Sequence, residues 1–148
     1  MPSFIKIWIH FIWSTKNRRA IIRKDLKYRL YEHIRKNANN NGIYIDHING
    51  NENHIHLLIS MKGEQSPSKI AFLLKGESSH WININKLTTQ KFEWQNEFIA
   101  LSVSESVVPS LRKYIRNQEK HHQKSSFAEK YNNLLRKSGF DKFEAKAK

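Results

Sequence analysis

His54 and His56 stand two residues apart in the run Asn53-His-Ile-His-Leu-Leu-Ile59. In an extended strand residues i and i+2 leave the same face, so both imidazoles can converge on one divalent cation while Ile55 anchors the strand from behind. Neutral imidazole is a common metal ligand, and two of them leave positions open for a phosphate oxygen and water. The same spacing also fits two surface histidines on a half-exposed strand. Some sixty residues later Tyr114 and Gln118 lie four apart, which on a helix places one above the other on a single face. They offer a phenol and a carbonyl oxygen able to coordinate a cation. Leu111, Tyr114, Ile115 and Gln118 also read as the ordinary inward stripe of an amphipathic helix.

The elements that must position these side chains follow from periodicity. Phe4 to Trp13 puts Ile5, Ile7, Ile9, Phe11 and Trp13 in one phase and Lys6, Trp8 and His10 in the other, the pattern of a strand with one buried face. Ser14 to Lys24 reads as a basic loop. Asp25 is placed to cap a helix in which Leu26, Leu30, Ile34 and Ala38 recur through Asn39, before the Asn-rich run to Gly42 stops it. Ile43, Tyr44, Ile45 and Ile48 suggest a second strand, with a turn at Asn49 and Gly50. His54 to Met61 forms a third. Ser66 and Pro67 start a helix running to about Ile84, and Phe98 to Val103 is a fourth strand. Ser106 or Pro109 then opens the helix carrying Tyr114, and Phe127 to Leu135 forms a shorter amphipathic piece. This order predicts an α+β, ferredoxin-like split βαβ sandwich: a four-stranded antiparallel sheet with two helices on one face, the other face open, and C-terminal helices carrying the tyrosine. One domain is expected over residues 1–140, with a disordered tail over 141–148.

The chain has 148 residues, with 26 Lys plus Arg against 13 Asp plus Glu and a net charge of +13. Such a field favours a polyanionic partner, nucleic acid before an anionic membrane surface, because each phosphate neutralised releases condensed counterions. A hydrophobic share of 39% with 11% aromatics indicates a folded domain with a basic surface rather than a disordered basic tail. With no cysteine, disulfides, thiolate zinc sites and thiol nucleophiles are excluded. The most apolar stretch, Phe4 to Trp13, is too short to span a bilayer and lacks the marks of a signal peptide, so a soluble cytoplasmic protein is expected.

The ordered combination of a His, bulky hydrophobic, His strand and a later Tyr-x-x-x-Gln helix resembles the HUH-type single-tyrosine transposases of the insertion sequence 200/605 family, including domesticated repeat-associated tyrosine transposases. The resemblance spans Phe4 to Leu135. It is supported by the aromatic opening Trp8 to Arg18 with its Thr-Lys-x-Arg turn, by Trp94-Gln-Asn-Glu-Phe98, and by Gln118-Glu-Lys-His-His-Gln123. What it implies is a metal-dependent DNA strand transferase. Tyr114 would attack a phosphodiester in single-stranded DNA, giving a 5′-phosphotyrosine and a free 3′-hydroxyl, and His54, His56 and Gln118 would hold Mg²⁺ or Mn²⁺. The resemblance further implies a homodimer and recognition of DNA hairpins near the element ends. Lys16, Arg18, Arg19, Arg23 and Lys24 are candidates for phosphate contact, as are Lys113 and Arg116, which flank Tyr114 and could hold the cleaved strand. His10 shares the phase of Trp8 and faces the open side as a further ligand or a packed histidine, while His121 and His122 follow Gln118 closely.

Two other readings use the same residues. A rolling-circle replication initiator or relaxase shares the chemistry, but such enzymes tend to belong to larger chains and many pair two tyrosines on one helix, whereas Tyr114 has no partner tyrosine within a helical turn. A noncatalytic binder would stack single-stranded bases on the sheet, although no stretch resembles the RRM signature.

Overall fold

The computed structural model describes residues 3–118 together with Glu129, Asn132, Asn133, Arg136, Lys137 and Gly139. The expectations for Phe127 to Leu135, for His121 and His122, and for the tail lie outside the described residues. Seven main elements follow in chain order: β1 (Ile7–Ser14), α1 (Lys24–Asn40), β2 (Tyr44–Gly50), β3 (His54–Met61), α2 (Pro67–Ile84), β4 (Ile99–Val103) and α3 (Val108–Arg116). Single 3-10 turns at Lys16–Arg18 and Glu105–Val107 interrupt the connections. The strands form one antiparallel sheet in the order β2-β3-β1-β4, the ferredoxin-like α+β arrangement that the split βαβ pattern predicts.

The two central strands are covered on both faces. Ile9, Phe11 and Trp13 of β1 and Ile55, Leu57 and Ile59 of β3 join Leu30 and Ile34 of α1 and Ile70 and Leu74 of α2 in the main core. This is the expected phase of β1. The opposite face is not open, however. Helix α3 lies over it, and Val108 and Ile115 form a second, smaller cluster with Trp8 and Leu58. Ile115 is fully buried, and burial of a side chain of this size contributes roughly 1.5–3 kcal/mol toward holding the helix on the sheet.

Two local expectations are corrected, and a third feature lies outside them. Helix α1 begins at Lys24 after Arg23, and Asp25 sits in its first turn rather than at the cap, where its charge still opposes the helix dipole favourably. Asn49 and Gly50 are not the turn. Both belong to β2, facing His56 and Ile55 across the ladder, and the chain reverses over Asn51 to Asn53, closed by the Asn51 N–H donating to the His54 carbonyl at 3.0 Å. Gly50 is required there because a Cβ would collide with the His54 backbone. Third, β2 carries a bulge between Ile45 and His47. Strict alternation from Ile45 would turn Asn49 into the main core. The extra residue, Asp46, resets the phase, so Ile45 and Ile48 both face Ile59 and Leu57 while Asn49 shares a face with His56.

Helix α2 matches its predicted bounds, Ser66 accepting from the Lys69 N–H at its start. No helix of the described residues is long and apolar enough to cross a membrane.

Candidate active site

β3 delivers His54 and His56 to the face beneath α3, and the two rings lie 5.1 Å apart at 76°. Both are buried. The strand phase predicts that both point away from the face of Ile55; they do leave the main core, but α3 encloses them. The helix closes over this face because its apolar side is short and specific, Val108 and Ile115 entering the cluster around Trp8. Tyr114 is thereby brought edge-on to His56, with ring centroids 5.7 Å apart and planes at 82°.

Gln118 does not continue the helix from Tyr114. The α-helix ends at Arg116, Asn117 takes a non-helical conformation, and Gln118 follows this break. Its side chain is held all the same: Nε2 donates to the Tyr114 carbonyl at 3.2 Å, and Oε1 lies 3.3 Å from Nε2 of His54. On its other side the His54 ring places Nδ1 2.9 Å from Oδ1 of Asn53. Amide oxygens only accept, and a neutral imidazole has a single N–H. One of the two contacts is therefore electron pair against electron pair unless a cation, proton or metal, lies between them. Such a donor set fits a divalent ion. Among the described residues no group of three or more His, Cys, Asp or Glu is placed to hold a metal ion, so any third protein ligand beside the two histidines would have to be a donor such as the Gln118 amide oxygen.

His10 occupies the same pocket. Its ring stacks on His56 at 5.2 Å and 24°, and its Nε2 meets Nδ1 of His56 at 3.0 Å. Burial pushes the His10 imidazole down to about 4, since charging it would require stripping water from the cation. Packed and hydrogen-bonded, it is a partner of a candidate ligand.

Three alternating asparagines, of which the sequence reading assigns only Asn49 and that to a turn, fasten the assembly. Asn49 donates from Nδ2 to the carbonyls of Ile115 and Arg116 at 2.9 and 3.1 Å, and Asn51 donates to the Gln118 carbonyl at 3.4 Å. These are carbonyls at a helix end, where backbone acceptors lack intrahelical donors. Asn53 joins His54 to the basic loop by donating to the Arg18 carbonyl at 3.5 Å. The signal that could have found them is their recurrence at 49, 51 and 53 directly before the histidine strand.

At the bulge Asp46 accepts two hydrogen bonds from Arg112, at 2.9 and 3.0 Å, and one from His47 at 2.6 Å. Burial raises the Asp46 carboxyl, but the hydrogen bonds from Arg112 and His47 outweigh it and hold the group below its usual range. This pairing ties α3 to β2 a second time.

The predicted phosphate-contacting residues divide. Lys113 and Arg116 are exposed beside Tyr114, with Arg116 3.2 Å from His47. Arg116 also lines a groove of about 580 Å³ shared with Lys27, Tyr28, Glu32 and Arg35. The loop holding Lys16, Arg18 and Arg19 is tied to the site turn through Asn53, while Lys16 pairs with Glu93 at 3.3 Å and Arg19 donates to Gln90 at 2.9 Å. Arg23 and Lys24 lie exposed at the start of α1, Arg23 3.7 Å from Asp25. None of the contacts described ties those two to the histidine pair.

The split βαβ sheet beneath the tyrosine-bearing helix is an arrangement shared with known proteins. Residues 3–118 match the family described as transposase IS200 like, and the chain belongs to that family. It is 26% identical over 114 residues to the ISDra2 transposase TnpA of Deinococcus radiodurans, a match covering 74% of this chain and 81% of that protein. Two solved structures share the fold. A crystallised protein of Deinococcus radiodurans described as a transposase superposes with a TM-score of 0.65 at 24% identity, covering 80% of this chain and 95% of its own. A REP-associated tyrosine transposase bound to a REP hairpin superposes with a TM-score of 0.63 at 18% identity, covering 82% and 72%.

Proposed function

We propose that this transposase-family protein cleaves and rejoins single-stranded DNA with Tyr114 as nucleophile and His54, His56 and Gln118 as ligands of a divalent cation, Mg²⁺ or Mn²⁺. The observation that carries the reading is the meeting, within one chain, of the Tyr114 ring with His56 and of the His54 Nε2 with the Gln118 amide oxygen. In the step proposed, the phenolic oxygen forms a bond to phosphorus as the bond to the 3′ oxygen breaks. The phenol gives up a proton and the departing 3′ oxygen gains one. The phosphodiester survives as a 5′-phosphotyrosine, so a later 3′-hydroxyl can displace the tyrosine with no nucleotide hydrolysed.

A phenol with a pKa of about 10 is a weak nucleophile at neutral pH. A bound divalent ion polarises the phosphoryl oxygens and stabilises charge in the transition state. The chain itself supplies orientation: Val108 and Ile115 seat α3, Asn49 and Asn51 hold its carboxyl end, and Arg112 on Asp46 fixes its flank. Lys113, Arg116 and the groove beside them present positive charge to the strand, with the basic loop Lys16, Arg18, Arg19, Arg23 and Lys24 offering further phosphate contacts. Hairpin ends as the substrate are favoured by the hairpin carried by the REP-associated structure of the same fold. A homodimer is favoured by β4, which stands at the sheet edge and among the described strands pairs only with β1.

The test is Tyr114→Phe with labelled single-stranded element ends and Mn²⁺. Wild type forms a covalent adduct that survives denaturation, and the variant forms none while keeping hairpin affinity within a fewfold. Wild type without an adduct on any element end would instead support a noncatalytic hairpin binder.

A further inference from the structure

Each candidate ligand histidine has its Nδ1 occupied by a different neighbour. For His54 that neighbour is Oδ1 of Asn53 at 2.9 Å, shorter than the 3.3 Å contact of its Nε2 with Gln118. For His56 it is Nε2 of His10 at 3.0 Å, with the rings stacked. An amide oxygen only accepts, so the shorter contact puts the hydrogen of His54 on Nδ1. His10 can accept at Nε2 when its own hydrogen is on Nδ1, and the Nδ1 hydrogen of His56 then lies between the rings.

We infer that Asn53 and His10 are positioning residues that lock both imidazoles in the Nδ1–H tautomer, presenting two Nε2 electron pairs to one cation. The inference rests on the metal-site reading above. A free neutral imidazole prefers no single tautomer strongly enough to hold two ligands ready at once, and the group on the far nitrogen of a metal-bound histidine sets its tautomer and ring orientation. Asn53 touches His54 and His10 touches His56, so both act through the histidines. The two partners come from different places, His10 from the neighbouring strand β1 and Asn53 from the turn that also holds the Arg18 carbonyl.

The decisive measurement is a long-range nitrogen-proton NMR correlation on metal-free protein labelled with ¹⁵N-histidine, which reads each tautomer directly. Nδ1–H at both His54 and His56 is the expected result, and Nε2–H at either overturns the inference, whether or not any variant folds. His10→Phe keeps a stacked ring but removes the acceptor; it is expected to move His56 to Nε2–H and weaken Mn²⁺ binding in calorimetry about tenfold or more. His10→Gln, which restores an accepting oxygen, is expected to recover most of that affinity. Asn53→Asp keeps the acceptor for His54 and Asn53→Leu removes it, with the same contrast expected. Unchanged Mn²⁺ affinity in folded His10→Phe and Asn53→Leu overturns the inference while leaving the metal site standing. A wild type that binds no Mn²⁺ removes the metal-site reading instead, and the nitrogen shifts still decide the tautomers.

Discussion

Asn49 is the point at which docking of the tyrosine helix can be tested most sharply. Its amide donates to two carbonyls at the end of α3, one bond partly buried at 2.9 Å and one exposed at 3.1 Å. A hydrogen bond of this kind contributes about 1 kcal/mol net, and water replaces much of the exposed one, so Asn49→Ala should loosen the helix by ~1–1.5 kcal/mol. Asn49→Asp has nearly the same shape but should be worse. It sets a carboxylate against two carbonyl oxygens at the negative end of the helix dipole, an added penalty of roughly 0.3–1 kcal/mol. Because the side chain touches α3 and the ladder of β2 and β3 does not depend on it, the loss should fall on local opening of the helix. Native-state hydrogen exchange of the Tyr114 and Ile115 amides reads this opening, with about tenfold faster exchange for each 1.4 kcal/mol. The expected order of protection is wild type, Ala, Asp, and the rate of covalent adduct formation should follow it. An Asp variant protected as well as wild type, or exchange altered in β1 and β3 but not in α3, would refute the reasoning.

Burial holds His10 at about 4 against 6.5 for the free side chain. The unfolded chain therefore takes up its proton first: stability is untouched above about pH 6.5 and falls as pH drops toward 4, by roughly 3 kcal/mol if the full difference is realised. Denaturant titrations of metal-free protein should show a flatter acid limb in His10→Gln, and identical limbs would remove the buried histidine as the cause. Binding of single-stranded DNA with about four phosphates neutralised should give a log-log salt slope of about −3, and Lys113→Ala should reduce it by about 0.7; an unchanged slope would place the strand elsewhere. Gly50→Ala, which drives a Cβ into the His54 backbone, should lower thermal stability and Mn²⁺ affinity together, whereas loss of neither would mean that the turn can relax freely.

Much of this protein was legible from residue types and spacing. The histidine strand and α2 have the bounds that their periodicity and capping predict, because alternating Ile55, Leu57 and Ile59 and a Ser-Pro start are local signals with a local cause. Strand phase also put His10, His54 and His56 on one face, and that face follows from chirality and pleat alone. Three things depended on residues distant in the chain. The bulge at Asp46 was hidden because Ile45 and Ile48, three apart, break a two-residue period without saying how; only pairing with Ile59 and Leu57 decides that Asn49 turns toward His56. Asn49 looked like a turn residue because its small polar side chain suits turns, and the carbonyls that Asn49 and Asn51 meet lie in another segment. The face expected to be open is closed because Val108 and Ile115 find Trp8 and Leu58 across the sheet. Chemistry was thus written in residue types, while the enclosure that lets a phenol, two imidazoles and an amide meet is a consequence of burial, which no stretch of chain decides alone.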